Sequence, residues 1–228
     1  MFLSAIYNLT IIKLHYCYIA LRSTLKTHQS VKRLVLFDFD GTITTKDTML
    51  DLAKFYAGYF RYYIIMLVIS PLLLCMKLKL VSNSFTKEIF LGLFFGGMNE
   101  LEFMQLCQRY SSQQLPSLIR PKALAEIQMH QHQGATVVVV SASAKHWLID
   151  WCDQQHLPLL STQLEIIDGK LTGKLKGPNC NGPEKVNRIK AAYNLSAFEK
   201  IIAYGDSSGD KEMFAISHEH YFKPFRNE

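Results

Sequence analysis

The stretch VKRLVLFDFD at residues 31–40 most constrains what this chain can fold into. Val31, Leu34, Val35, Leu36 and Phe37 form a β-prone run too continuous for a half-exposed strand. It predicts a central parallel strand covered on both faces. The run ends in Asp38 and Asp40, followed by Gly41 and Thr42. Two carboxylates at the carboxyl end of a buried strand cost free energy unless something cationic meets them.

Similar runs recur downstream. Ala135–Val140 reads as a second buried strand ending in Ser141-Ala142-Ser143, and Ile201–Tyr204 as a third ending in Gly205-Asp206. Tyr221–Phe222 is a candidate last strand. Leu164–Ile167, Asp168-Gly169 and Lys170–Thr172 carry a hairpin signal. Helical patterns at Pro121–Gln133, Ala144–His156, Pro183–Tyr193 and Asp210–Ile216 separate the strands, with Ser143 the expected cap of the second. The alternation predicts an α/β fold, a doubly wound parallel sheet. In such sheets the ligand sits beyond the carboxyl ends of the strands.

Between the first and second strands the pattern is helical throughout. Asp47–Ala57 is one helix. Tyr59–Leu80 is strongly apolar, with a break expected at Ser70–Pro71. Ser84–Phe95 is a third helix, and Asn99, with Glu102 behind it, caps a fourth. The expected organisation is an extension at 1–30, a catalytic core at 31–46 and 115–228, and a helical cap at 47–114 inserted after the first strand.

Composition narrows the function classes. The 228 residues are 49% hydrophobic and only 19% charged, too apolar for a disordered chain. The net charge of +6 is unevenly placed. Residues 1–37 carry five basic residues and no acid, and residues 52–99 carry five against Glu88 alone. These basic residues lie among aliphatic ones, so no nucleic-acid partner is expected; an anionic membrane surface fits better. The uncharged run Tyr62–Met76 is shorter than the roughly 20 residues that span a bilayer. A buried cap helix pair, an interfacial segment and a true span remain open readings of it. For residues 1–30 the open readings are an amphipathic surface helix, a poorly ordered extension, and a signal or anchor. The five cysteines form no C-x-x-C pair and suit a reducing compartment.

The strand ends point to one chemistry. Asp38, Asp40 and Asp206 are hard oxygen ligands suited to Mg²⁺. A free carboxylate oxygen can attack phosphorus and form an aspartyl phosphate. Ser141 and Lys185 can hold and neutralise phosphoryl oxygens.

In their order, DFDGT at 38–42, the strand ending in Ser141, Lys185 and GDSSGD at 205–210 resemble the four motifs of the haloacid dehalogenase superfamily. The likeness spans roughly residues 31–222, and the inserted helical cap is similar to that of the phosphoserine-phosphatase-like subfamily IB. The apolar cap and the NGPEK context of Lys185 resemble phosphatidylglycerophosphatase C-type members. The resemblance implies Asp38 as nucleophile and Mg²⁺ ligand. It implies Asp40 as the acid that protonates the leaving alcohol and then activates water, its backbone carbonyl also reaching the metal. Gly41, Thr42 and Ser141 would bind phosphate, Lys185 would bind it and stabilise its charge, and Asp206 and Asp210 would complete the metal site.

The expectation is therefore a Mg²⁺-dependent phosphatase acting on a lipid-linked phosphate such as phosphatidylglycerophosphate, in the cytoplasm at the inner face of a membrane. Between residues 52 and 99 the cap holds one arginine, Arg61, and one acid, Glu88, a thin supply for recognising an amino-acid phosphate. The alternatives are the same chemistry on a small soluble phosphomonoester, and a non-catalytic membrane-associated scaffold.

Overall fold

A computed structural model describes residues 32–226; the expectations for residues 1–30 lie outside them. Five parallel strands form one sheet in the order β3-β2-β1-β6-β7. They are β1 (Arg33–Phe37), β2 (Thr136–Ala144), β3 (Leu159–Thr162), β6 (Lys200–Gly205) and β7 (Glu219–Phe222). β1 is central, with Leu36 beside Val138 of β2 and Ala203 of β6. Its side chains alternate between two cores: Val35 and Phe37 pack on one face, Leu34 and Leu36 on the other. That two-sided burial is why the run lacks polar alternation.

Helices α4 (Pro121–His132), α5 (Lys145–Gln154), α6 (Pro183–Ala192) and α7 (Lys211–Ala215) connect these strands, as a doubly wound sheet requires. The strand β3 was absent from the sequence reading. It is four residues long and lies at a sheet edge, too short for a periodic signal.

The insertion after β1 holds α1 (Thr48–Lys77), α2 (Asn83–Phe95) and α3 (Glu100–Gln113). Gly58, at φ 71° and ψ 170°, kinks α1 between the two expected segments. Pro71 does not break it, contrary to expectation. Proline removes the N–H that would reach the Leu67 carbonyl, and the Ser70 hydroxyl donates to that carbonyl at 2.8 Å instead.

Outside the main sheet, β4 (Leu164–Ile167) and β5 (Lys170–Leu175) form an antiparallel hairpin. It turns at Asp168 and Gly169, both at positive φ. The hairpin docks on the insertion: Gly97 N–H donates to Leu171 O at 2.8 Å and Leu171 N–H to Met98 O at 2.9 Å. Gly173 rests on the backbone of Gly92, where a Cβ would collide.

Candidate active site

The chain leaves β1 through Asp38, whose N–H still donates to Tyr204 O at 2.9 Å. It then turns at Gly41, with φ 76°. A Cβ there would strike the Asp206 carboxylate, so glycine is required by both conformation and space. The turn brings the ends of β1 and β6 together around Lys185, from the first turn of α6.

Lys185 Nζ donates to Asp38 Oδ1 and to Asp210 Oδ1, each at 2.6 Å, and is 1% exposed. Asp38 Oδ2 accepts from the Thr42 hydroxyl at 3.1 Å. The other oxygen of Asp210 accepts from the N–H groups of Asp206 and Ser207 and from the Ser207 hydroxyl. Asp210 therefore shapes the loop after β6 while it faces the lysine. Asp38, Asp206 and Asp210 each offer a carboxylate oxygen, all within 4.8 Å of one another. Asp206 is also met by Arg226, at 2.5 Å.

Two carboxylates against one ammonium leave this centre short of positive charge. Burial pushes Asp38 up to about 7, and Lys185 only partly opposes it. Burial would lower the Lys185 pKa, but Asp38 and Asp210 outweigh it and the pKa rises. Burial likewise raises Asp206, against the pull of Arg226. A hard divalent cation would relieve all three acids, so the donor set fits Mg²⁺.

Asp40 stands apart from that cluster. Its Oδ1 accepts the Thr48 N–H at 2.7 Å, at the start of α1, and its Oδ2 accepts the Ser143 hydroxyl at 2.5 Å. Ser143 therefore does not cap α5 as expected; Ala144 occupies that position without a side-chain cap. Thr48 is braced in turn by Trp147, whose indole N–H donates to the Thr48 hydroxyl at 3.0 Å. Burial pushes Asp40 up to about 6, helped by Asp47 and opposed by its hydrogen bonds to Ser143 and Thr48.

These groups open on a cavity of about 520 Å³. Its floor includes Asp38, Asp40, Gly41, Lys185 and Asp206. Thr42 and Ser141 are not on its wall. Thr42 is turned to Asp38, and the Ser141 hydroxyl accepts the Ser143 N–H at 3.0 Å. The insertion supplies Met49, Leu50, Leu73, Met76 and Phe90, which make one side of the cavity apolar. It also supplies Lys87, which, like Arg226, carries no signal in the sequence. Neither lies in a motif at a strand end, and only tertiary contact brings them to the site; Ser143 lies in the polar end of β2 but holds Asp40 where a helix cap was expected.

Residues 35–215 match the haloacid dehalogenase-like hydrolase family. Over 195 residues the chain is 32% identical to Protein CicA of Caulobacter vibrioides (strain NA1000 / CB15N), covering 85% of this chain and 86% of that protein. A solved protein of unknown function from Bordetella pertussis Tohama I superposes with a TM-score of 0.74 at 20% identity, over 83% of this chain and 89% of that one. A phospho-aspartyl intermediate analogue of phosphoserine phosphatase aligns with a TM-score of 0.57 at 23% identity, over 83% and 85%. The structures share the fold, while the family match runs from β1 to α7 and takes in every acid of the cavity floor. By that match the chain belongs to the haloacid dehalogenase-like hydrolase family, and it is an enzyme of that class.

Proposed function

We propose that this enzyme is a Mg²⁺-dependent phosphomonoesterase whose substrate is a lipid-linked phosphate, such as phosphatidylglycerophosphate, met at an anionic membrane surface on its cytoplasmic side. The observation that carries the chemistry is the pairing of two differently held carboxylates. Asp38 is locked on Lys185 and Thr42, and Asp40 sits one turn away with a raised pKa. An Asp38 oxygen attacks phosphorus, the P–O bond to the alcohol breaks, and Asp40 gives that alcohol its proton. Asp40 then takes a proton from water as the water attacks the aspartyl phosphate, which releases phosphate and restores Asp38. Lys185, on the cavity floor, holds phosphoryl oxygens through both steps. Asp38, Asp206 and Asp210 would hold the Mg²⁺, whose charge offsets that of the phosphoryl group.

The lipid part of the reading is supported by the apolar cavity wall and by what continues from it. Beyond Gly58, α1 exposes Phe60 (83%), Leu67 (74%) and Val68 (68%), and Leu74, Leu78 and Leu80 follow. A helix apolar on all sides normally has all of its sides covered. No acid occurs between Asp51 and Glu88, while Arg61, Lys77 and Lys79 are exposed, a charge suited to anionic headgroups. Lys54 lies over the rings of Tyr59 and Tyr63, at 4.2 and 5.5 Å, an arrangement suited to the headgroup level. A second copy on this face would bring the two sets of cations together.

The full chain should hydrolyse dihexanoyl phosphatidylglycerophosphate with Mg²⁺, lose that activity in EDTA, and float with phosphatidylglycerol vesicles. Full turnover by Asp38→Asn would overturn the chemistry. Good turnover of p-nitrophenyl phosphate alone, without flotation, would overturn the lipid substrate. Flotation without turnover of any phosphate would favour the scaffold.

A further inference from the structure

α2 delivers one ammonium group to the cavity. Lys87 Nζ lies 2.8 Å from the carbonyl oxygen of Ala142 and 3.2 Å from Asn179 Oδ1. Both acceptors are neutral, and both belong to the catalytic side: Ala142 sits between Ser141 and Ser143, and Asn179 lies on the loop leading to Lys185. The other inward cations have carboxylates, Lys185 with Asp38 and Asp210, and Arg226 with Asp206. Lys46 stands at the exposed rim. Among the described residues, Lys87 is the half-buried cation of the cavity wall that enters no ion pair. A third ammonium hydrogen is left over for a ligand.

A cation withdrawn from water onto neutral acceptors is poorly compensated. Burial accordingly lowers the Lys87 pKa, although Asp47 and Asp40 pull it upward. A ligand that brings negative charge into the cavity would supply the missing counter-ion.

We propose that Lys87 binds a phosphate group of the substrate and is the specificity-determining residue that the insertion contributes to the site. This rests on the cavity being the site for a phosphomonoester. Lys87 makes a charge-assisted contact with phosphate oxygens while α2 stays anchored on the end of β2. Its chemistry suits two sources: the phosphomonoester that is cleaved, or a second phosphate, in diester linkage, in the same headgroup.

The test measures binding separately from turnover. The full chain carrying Asp38→Asn is titrated calorimetrically with dihexanoyl phosphatidate, which has the monoester alone, and with dihexanoyl phosphatidylglycerophosphate, which has both groups. Lys87→Gln keeps amide donors for the same two acceptors but removes the charge, whereas Lys87→Arg keeps the charge. Lys87→Gln should raise Kd roughly tenfold or more, and Lys87→Arg should stay within about threefold of the parent. Loss for both ligands assigns Lys87 to the monoester, and loss for the second ligand alone assigns it to the diester. An unchanged Kd in Lys87→Gln, an equal loss in Lys87→Arg, or no binding by the parent would overturn the inference. Turnover by the wild-type chain is scored on its own. Lys87-dependent binding without turnover would retain this inference and remove the phosphatase reading.

Discussion

Replacing Asp40 with Asn should cost activity and raise stability, and the pH dependence of that gain identifies its cause. In the folded chain burial raises the Asp40 pKa from 3.8 to about 6. Between those values the native state binds more protons than the unfolded state, so this residue's contribution to stability falls as pH rises. Above the folded value the penalty is complete. At about 1.4 kcal/mol per tenfold change in equilibrium, it amounts to roughly 3 kcal/mol. Asparagine fits the same place, with its carbonyl accepting the Thr48 N–H and its amide donating to Ser143. It does not titrate, so the variant escapes the penalty. For a chain of this size the gain corresponds to a melting temperature roughly 5–10 °C higher at pH 8 in EDTA, shrinking to about a third of that at pH 4.5. Turnover in Mg²⁺ should fall by about 100-fold or more, the ordinary contribution of a positioned acid–base group. Calorimetric melts at the two pH values decide the matter. A stability gap independent of pH, or a variant that melts below wild type at pH 8, would refute the assignment of the penalty to the buried carboxylate.

Lys185→Met leaves Asp38 and Asp210 facing each other without their shared cation, and should lower stability in EDTA by about 3–5 kcal/mol at pH 8, read from urea unfolding. Gly41→Ala forces a Cβ into a positive φ and against Asp206; it should cost about 1–3 kcal/mol in the same assay and strongly reduce turnover. Phe60→Ser with Leu67→Ser removes two exposed apolar side chains that do not line the cavity, and should weaken partitioning to phosphatidylglycerol vesicles by about tenfold or more. Their turnover of p-nitrophenyl phosphate should stay at the wild-type rate.

What was legible in the sequence follows from where side chains are forced to be. Leu34–Phe37 had to be a two-sided strand, because no half-exposed strand is so continuously apolar. Acids directly after such a strand had to lie at the sheet's carboxyl edge, where Asp38 and Asp206 now stand within reach of one another. The gap between the expected segments Asp47–Ala57 and Tyr59–Leu80 falls at Gly58, whose backbone angles little else tolerates. Pro71 misled because the repair comes from the neighbouring Ser70 hydroxyl, a rotamer choice that spacing does not reveal. The role of Ser143 was hidden for another reason: its position fits a helix cap equally well, and its partner Asp40 lies 103 residues away. Lys87 reaches its acceptors across 55 and 92 positions, and on a helix pattern alone it is one more basic residue.

On the proposed function, α1 couples the membrane to the chemistry without crossing the bilayer. By length and composition Thr48–Lys77 is long and apolar enough to span one. Its first turn, however, holds Asp40 through the Thr48 N–H, and Leu52 and Ala53 are fully buried in the protein. Beyond Gly58, Tyr62 and Ile69 are buried as well, with the Tyr62 ring 5.8 Å from Phe94 of α2. Withdrawing that helix into lipid would strip Asp40 of a hydrogen bond and unpack α2, which carries Lys87. Lying along the surface keeps both contacts and still covers Phe60, Leu67 and Val68. The segment after Gly58 is then roughly 28 Å of helix with one side on α2 and the other in the headgroup region. Leu73 and Met76, on that same segment, line the cavity.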